Sequence, residues 1–335
     1  MPPAVVEVPE RVHPGDAEDQ GDEEQPAVRR KGGPADRVVH LPSPEFAPRP
    51  SHGPVPSEKH MAAPCRSPHD PGARRILIRM SKNMTDEPAD AVESLVSLLD
   101  SFDDLPAAAG LRTLSYRLLG VAPGATVVDV GCGAGRAVAE MAELGATAVG
   151  VDVDERMVAT ARRRRPHADV RLGDACDLPF GDGELTGYRA EKVLHDLADP
   201  ARALAEAARV LAPGGHAVLI GQDWDTFVID SDDPELTRLM VHARAGTVPA
   251  PLAARRHRNL LLDAGFEDVA VEVRTGVFTD VTALPMLTGL AGAACSAGAV
   301  TRERADAWLA EQAERGRAGR LFLAVPLFVA SGRRP

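Results

Sequence analysis

The stretch Val127–Arg136, which reads Val-Val-Asp-Val-Gly-Cys-Gly-Ala-Gly-Arg, is the strongest indication of the fold of this chain. A β-branched run leads into the turn Gly131-x-Gly133-x-Gly135, and a helical pattern begins directly after it. Glycine is required where the backbone takes a positive φ or where a ligand touches the main chain, because a Cβ atom would block both. A strand that ends in such a turn and opens a helix predicts a nucleotide-type pocket at the carboxyl edge of a parallel sheet.

The spacing of these glycines differs from that of dinucleotide sites. Those sites usually read G-x-G-x-x-G and place a pyrophosphate at a helix N-terminus. Here the glycines alternate and Asp129 precedes them, which suits a ligand that lacks phosphates and carries a cationic amine. An NAD-dependent oxidoreductase is therefore the less favoured alternative.

Composition divides the chain of 335 residues into two parts. Residues 1–79 are Pro-rich with little apolar periodicity, and we expect a disordered tail there because such a segment buries too little surface to offset the entropy of ordering. An alternative stays open, in which the protein starts at Met80 or Met84 and the upstream residues are a gene-model extension. Residues 80–335 are rich in Ala, Leu and Val and predict one compact α/β domain.

Charge and apolar content limit the partners of the chain. The formal net charge of −11 argues against a nucleic-acid partner, because phosphate binding needs a basic face. No signal peptide is expected, and the apolar stretch 321–331 is too short to span a bilayer. The cysteines show no metal-type spacing, so we expect no bound metal and a reduced, cytoplasmic location. The four are Cys65, Cys132, Cys176 and Cys295.

Strand-like and helix-like segments alternate along most of the second part. This order predicts an α/β fold with a doubly wound, mostly parallel seven-stranded sheet. The predicted strands are 126–130, 146–151, 169–172, 185–190, 216–221, 269–273 and 321–329. Two stretches with helical patterns, 86–119 and 281–319, lie outside this alternation.

From Leu111 to Gly332 the chain resembles the class I S-adenosylmethionine (SAM)-dependent methyltransferases. The resemblance rests on four landmarks in order, which are the glycine turn, Asp152 at the end of the second strand, Gly173-Asp174-Ala175, and the segment 190–197. It is strongest to the small-molecule branch related to the ubiquinone/menaquinone C-methyltransferases, including bacterial enzymes of natural-product pathways. The resemblance implies SAM as the cofactor and a lid and substrate pocket built from 86–119 and 281–319.

The resemblance also implies which residues hold SAM. Asp129 would hold the amino group, and the glycines would let the methionine part lie on the backbone. Asp152 would accept hydrogen bonds from both ribose hydroxyls. Each carboxylate has a structural alternative, a turn cap for Asp129 and a helix N-cap for Asp152, although Asp154 suits the N-cap better. The implied cofactor residues are Asp129, Gly131, Cys132, Gly133, Gly135, Asp152, Val153, Asp174, Ala175, Ala190 and Glu191.

Three of these contacts lie beyond the second strand or next to it. Val153 would stack on adenine as its apolar neighbour. Asp174 would accept from the exocyclic amine of adenine beside a backbone N–H of the same segment, with an Asx-turn as the alternative role. The backbone at Ala190 and Glu191 would flank the methionine part.

Candidate catalytic and acceptor-binding residues follow the fourth and fifth strands. His195 is the side chain that can accept a proton near neutral pH, and a structural histidine at the helix that begins near Pro200 is the alternative. Asp223 is the second catalytic candidate, and Trp224 and Asp225 are candidate substrate contacts, although plain loop roles fit all three equally well. The other candidates from the helical additions are Tyr116 and His242, with packing or surface roles as their alternative.

The predicted function is transfer of a methyl group from SAM to an apolar or aromatic small molecule, at oxygen, carbon or nitrogen. The segment 281–299 is almost uncharged and rich in Leu, Ala, Gly and Met, which favours an apolar acceptor in secondary metabolism or quinone-like biosynthesis. A plain helix pair explains that composition equally well. A SAM-binding regulatory or partner protein without turnover is the alternative function, and a homodimer is among the assemblies left open.

Overall fold

The computed structural model describes Asp100 and residues 103–335. The tail predicted over 1–79 and most of the helical addition before Asp103 therefore lie outside the described residues. The strands of the described part are β1 Thr126–Val130, β2 Thr147–Asp152, β3 Asp169–Leu172, β4 Leu185–Glu191, β5 Leu211–Gln222, β6 Val228–Ile229, β7 Glu267–Phe278 and β8 Leu323–Arg333. The helices are α1 Pro106–Leu119, α2 Arg136–Glu143, α3 Glu155–Arg164, α4 Pro200–Val210, α5 Pro234–Ala245, α6 Ala253–Asp263, α7 Leu284–Ser296 and α8 Arg302–Arg317.

The strands form a single sheet in the order β3-β2-β1-β4-β5-β8, with β7 on the far side of β8. Strands β1 to β5 pair in parallel, and β8 runs antiparallel to both β5 and β7. The predicted doubly wound, mostly parallel sheet is confirmed. The two-residue strand β6, which pairs with the start of β8, is an addition to the seven predicted strands.

Strand β5 begins earlier than the sequence pattern predicts. Leu211 already pairs with Leu185, and the ladder resumes at His216 opposite Gly187. The Pro213-Gly214-Gly215 segment between them is a bulge within the strand rather than a turn before it. Proline and glycine at these positions break the alternation from which a strand is read, so the pattern hides the first residues of β5.

Helices cover both faces of the sheet, which explains why the parallel strands read as continuous apolar runs. One core cluster joins the sheet to α4 and α6, and a second joins it to α1, α2 and α3. A third cluster packs α5, α7 and α8 on one another, centred on Met240, Leu287 and Trp308. Within the described range no helix is long and apolar enough to cross a membrane.

Candidate cofactor and acceptor site

The carboxyl ends of the parallel strands bring the sequence landmarks to one edge of the sheet. Val130 at the end of β1 lies between Val151 of β2 and Ala190 of β4. Lys192, just past β4, donates its backbone N–H to the Ile220 carbonyl of β5 at 2.7 Å. Ligands of open α/β sheets bind at this edge, where loops from successive strands meet.

The glycine turn takes the backbone conformation that its spacing predicts. Gly131, Gly133 and Gly135 have φ of 66°, 51° and 77°. A Cβ atom on Gly131 would lie 2.3 Å from Cγ2 of Val193, so this position must be glycine for the turn to pack on the loop after β4. A Cβ atom on Gly133 would meet nothing within 4 Å, so its open side is free for a ligand.

The Cys132 side chain points away from this open side. It is buried, and a Cβ atom on Gly150 of β2 would lie 2.7 Å from its Sγ. Burial raises the pKa of the Cys132 thiol, so it stays protonated. The Cys132 side chain therefore serves the packing of the turn on β2.

Asp152 joins the end of β2 to the glycine turn. Its Oδ2 accepts from the backbone N–H of Gly133 at 2.8 Å, and its Oδ1 accepts from that of Asp154 at 2.8 Å. Burial raises its pKa, which these backbone bonds oppose. Asp154, rather than Asp152, is the N-cap of α3, and its side chain accepts from the Arg156 N–H at 2.9 Å. Val153 beside them is 74% exposed, as an apolar platform for a ligand would be.

Asp174 lies exposed in the loop after β3. Its Oδ1 accepts from the backbone N–H of Cys176 at 2.8 Å, which is the Asx-turn that was its structural alternative. Ala175 is buried next to it. The turn and a contact to adenine are compatible, because a carboxylate has a second oxygen.

Asp129 is buried and forms an ion pair rather than facing the site. Its Oδ1 accepts from Nη1 of Arg189 at 2.7 Å, and the two residues are neighbours across the β1–β4 ladder. Arg189 also bonds the carboxylate of Glu191 through Nη2 and Oγ of Ser115 through Nε. Sequence reasoning missed Arg189. The signal for it was a charged residue inside a buried parallel strand, which requires a partner.

The buried trio of Asp129, Arg189 and Glu191 carries two carboxylates for one guanidinium. Glu191 is its outer member, with a side chain 15% exposed and Oε1 3.5 Å from Nζ of Lys192. Burial opposes ionisation of Glu191, but Arg189 and Lys192 hold its pKa below the ordinary value. The trio therefore keeps a negative side chain at the edge of the sheet, and that side chain belongs to Glu191 rather than to Asp129.

Tyr116 supports this trio from α1. Its hydroxyl donates to Oε2 of Glu140 at 2.7 Å, and its ring centroid lies 5.8 Å from the guanidinium carbon of Arg189. Burial raises the pKa of the phenol. The side chain is 6% exposed, so α1 uses Tyr116 to cover the charged core.

His195 lies buried in a short 3-10 helix, Leu194–Asp196, after β4. Its Nε2 is 3.5 Å from Oδ2 of Asp196, and its ring meets that of Trp224 edge to face at 5.4 Å. Burial lowers the pKa of His195, so the imidazole is neutral at pH 7 and keeps a lone pair for a proton. The cap of α4 is provided by Asp199 instead, which accepts from the Arg202 N–H.

Asp223 and Asp225 follow β5 and have different surroundings. Asp223 is fully buried, and Arg255 binds both of its oxygens, with Nη2 at 2.7 Å from Oδ1. This carboxylate therefore fixes the loop, and both of its oxygens already accept hydrogen bonds. Asp225 is more open, with Oδ1 3.1 Å from Nδ1 of the exposed His242.

Trp224 lies between these two carboxylates and is half-buried. The guanidinium carbon of Arg244 lies 4.1 Å from its ring centroid, and Phe227 stacks on it at 5.6 Å. The indole Nε1 is buried without a hydrogen-bond partner among the described residues. Trp224 is therefore held by three side chains and keeps one buried donor that no described residue satisfies.

A second histidine, which sequence reasoning missed, lies behind β5. His257 of α6 is 2% exposed, and its Cε1 would lie 3.2 Å from a Cβ atom on Gly221. Burial, with a smaller contribution from His195, lowers the pKa of His257 to about 4. Its Nδ1 has no partner in the described part of the chain. The apolar spacing of α6 gave no reason to separate this histidine from a surface one.

Comparisons with known proteins place the chain in a family. A family model described as a methyltransferase domain matches residues 128–219, from β1 into β5. An uncharacterised 37.1 kDa protein in transposon Tn4556 of Streptomyces fradiae is 36% identical over 273 residues, which cover 77% of this chain and 78% of that protein. Demethylmenaquinone methyltransferase of Renibacterium salmoninarum is 35% identical, over 35% of this chain and 49% of that enzyme. The chain belongs to the class I SAM-dependent methyltransferases.

Other similarities are shorter or more distant. O-methyltransferase cnsE of Penicillium expansum is 35% identical over 46% of this chain and 56% of that enzyme. The chain thus spans about half the length of the two named enzymes. Among solved structures, phosphoethanolamine N-methyltransferase 2 of Haemonchus contortus with SAM is 16% identical at a TM-score of 0.45, covering 68% of this chain and 52% of that one.

The cofactor of this methyltransferase is SAM, and the observed edge fits it in most respects. Gly133 leaves its main chain open, Asp152 ends β2 with a half-buried carboxylate, and Val153 is exposed beside it. Asp129 is the exception, because its carboxylate is buried and paired with Arg189 inside the sheet. Among the described residues no group of three or more His, Cys, Asp or Glu side chains is placed to hold a metal ion.

A cavity of about 430 Å³ opens next to the loop that carries Trp224. Its lining is part apolar and part polar, and comes from the segment after β5 and from α5. Representative residues are Asp225, Phe227, Ile229, Val241 and His242. Another cavity, of about 420 Å³, lies at the opposite edge of the sheet around Pro213 and His216, away from every landmark of the cofactor site.

Proposed function

We propose that this methyltransferase transfers the methyl group of SAM to an apolar or aromatic small molecule, at oxygen, carbon or nitrogen. The observation that carries the proposal is the juxtaposition of the neutral, buried His195 with Trp224 at the carboxyl edge, beside the cavity. The setting is secondary metabolism or quinone-like biosynthesis. The named relatives act, by their names, on demethylmenaquinone and in O-methylation, which supports an acceptor of this class.

The cofactor end of the site is built mostly from main chain. Gly131, Gly133 and Gly135 would hold the methionine part, and Asp152 would accept from the ribose hydroxyls. The outer carboxylate Glu191 would face the ammonium in place of Asp129, because it is the least buried member of the trio. Val153, Asp174 and Ala175 would surround the adenine.

Bound SAM supplies a methyl group on a sulfonium, whose leaving group needs no activation by the protein. What the chain must do is hold the acceptor in line with that methyl group and exclude water, and such orientation can supply on the order of 7–11 kcal/mol. Trp224 and the apolar residues of the cavity wall, such as Phe227 and Val241, would orient the acceptor. His195 would accept a proton from an acceptor hydroxyl, since its lowered pKa keeps it neutral at pH 7.

The helical additions would serve this site indirectly. Helix α1 would cover the cofactor end through Tyr116, and α7 and α8 would support α5, whose outer residues line the cavity. The buried residues of α7 face α5 and α8, so the apolar composition of 281–299 is explained by helix packing first.

The proposal is tested by replacing His195 with Gln and measuring transfer from methyl-labelled SAM to a panel of phenols and naphthols. We expect unchanged SAM affinity by calorimetry and turnover lowered about 10²–10⁴-fold, the usual contribution of a positioned base. The matched control is His216→Gln, a histidine at the opposite end of β5, which should leave both quantities unchanged. SAM binding without release of S-adenosylhomocysteine for any acceptor would instead favour a binding protein without turnover.

A further inference from the structure

Arg244 lies in the proposed acceptor region without a carboxylate partner among the described residues. It lies in the last turn of α5, half-buried, with its guanidinium carbon 4.1 Å from the Trp224 ring centroid. Its Nη1 donates to Oγ1 of Thr247 at 2.7 Å. Within the described residues no carboxylate oxygen lies within 4.0 Å of it, whereas the buried Arg112 and Arg189 each have one.

The positive charge of Arg244 is therefore not neutralised by a neighbouring carboxylate. Burial lowers the pKa of its guanidinium, and the one charge that opposes this is Asp196 at longer range. A half-buried cation loses hydration without gaining an ion pair, which is unfavourable unless another group completes the site. The planar guanidinium on an indole is also fixed in orientation, so its free N–H groups have a defined direction.

The groups around Arg244 are those of the proposed acceptor site. The ring centroids of Trp224 and His195 lie 5.4 Å apart. Arg244 is also one of the cations that lower the pKa of His195. The neutral His195 and the Arg244 cation thus both contact the ring of Trp224. This pairing suits an oxygen that becomes negative when its proton is removed.

We propose that Arg244 binds an anionic oxygen of the methyl acceptor, which therefore is a phenol-like or carboxylate-bearing ring; this rests on the function proposed above. In the phenol case the hydroxyl proton goes to the His195 imidazole, and the oxygen keeps the O–H electron pair. That oxygen forms the new O–C bond to the methyl group while the C–S bond breaks and leaves its electron pair on sulfur. In the carboxylate case Arg244 holds a group remote from the reacting atom.

A purely structural role makes a different prediction. A cation in the last turn of α5 stabilises the helix through its dipole, and stacking on Trp224 adds to this. Such a role would change protein stability but would not distinguish charged from neutral ligands. The test must therefore measure ligand preference as well as unfolding.

The probes are 4-nitrophenol, 4-nitrobenzoate and 4-nitroanisole, three rings of similar size of which the first two are anionic at an alkaline assay pH. Each is titrated into the enzyme saturated with S-adenosylhomocysteine, and quenching of tryptophan fluorescence reports binding. The chain has two tryptophans, and Trp224 lies at the proposed site. Variants are Arg244→Gln and Arg244→Lys, and the matched control is Arg258→Gln, an exposed position on α6.

We expect the wild-type enzyme to bind at least one anionic ring at least tenfold more tightly than 4-nitroanisole. Arg244→Gln should abolish that preference, Arg244→Lys should keep part of it, and Arg258→Gln should keep all of it. Preference for nitrophenol alone identifies the reacting oxygen as the bound anion, and preference for nitrobenzoate alone identifies a remote carboxylate. Equal binding of charged and neutral rings, or a preference that survives Arg244→Gln, would overturn the proposal.

Failure of this inference is distinguishable from failure of the proposed function. S-adenosylhomocysteine binding is measured first, by calorimetry, and its absence would contradict the proposed function itself. If it binds and Arg244→Gln unfolds at the same urea concentration as the wild type, the ring titrations decide the role of Arg244 alone.

Discussion

The ends of β1 and β2 and the end of β5 differ in what builds their part of the site. At β1 and β2, glycines of positive φ open the main chain, and Asp152 bonds directly to the Gly133 N–H. At β5 the site consists of side chains from separate elements, with Trp224 from the loop after β5 between His195 and Arg244. A site built from main chain can be predicted from the spacing of nearby residues in the sequence. A site built from side chains forms only when distant segments pack together, so the sequence does not reveal it directly.

In both regions an arginine binds an aspartate of the site edge. Asp129 and Asp223, which both follow or end parallel strands, are each bonded by an arginine from another element, Arg189 and Arg255. Both were candidates for ligand contact, Asp129 because the family resemblance implies it and Asp223 because it follows β5 at the carboxyl edge of the sheet. In this protein each aspartate instead pairs with its arginine and holds the surrounding segments in place.

Arg189→Met should have the largest effect and would test whether Asp129 is framework. Removing one partner of a buried pair leaves an uncompensated charge, and the expected loss in free energy of unfolding is about 3–5 kcal/mol by urea denaturation. Arg274→Met removes the exposed pair with Glu272 and should change stability by less than about 1 kcal/mol. If Arg189→Met were as mild, Asp129 would be free for a ligand and the contrast between the two regions would disappear.

What the sequence predicts well is what depends on neighbours along the chain. The glycine spacing, the proline at the start of α4 and the alternation of strands and helices predict the mostly parallel sheet and the edge where the landmarks meet. The pairing of Asp129 with Arg189 depends on the register of two strands 60 residues apart. Likewise, His257 can be buried only because Gly221 has no side chain, and the sequence pattern of α6 does not show this.

The buried His257 should make stability fall in mild acid, and this would sharpen the description of the β5 region. Its pKa is about 4 in the folded protein and near 6.5 in the unfolded chain. The unfolded chain therefore binds the proton first, so this stabilisation is complete above pH 6.5 and is lost as the pH falls toward 4, by about 3 kcal/mol. Urea denaturation across this range measures it.

His257→Gln should remove much of that pH dependence, and the remainder should include His195, whose pKa shifts in the same direction. Arg258→Gln, one position along the same helix, should retain the wild-type slope. An unchanged slope in His257→Gln would show that the histidine is accessible to water and that the packing behind β5 is looser than described.

Gly133→Ala should have the smallest effect on the fold and a specific one on the cofactor. Gly133 and Gly120 both have positive φ, of 51° and 67°, and a Cβ atom on either would meet nothing within 4 Å. Each alanine should therefore lower the free energy of unfolding by about 1–2 kcal/mol through backbone strain alone. Because the proposed function places the cofactor against the Gly133 main chain, its variant should bind SAM at least tenfold more weakly, while Gly120→Ala should bind SAM as the wild type does. Equal SAM affinities in the two variants would mean that the open side of the turn is not the cofactor surface, and the difference between a main-chain site at β1 and a side-chain site at β5 would have no functional basis.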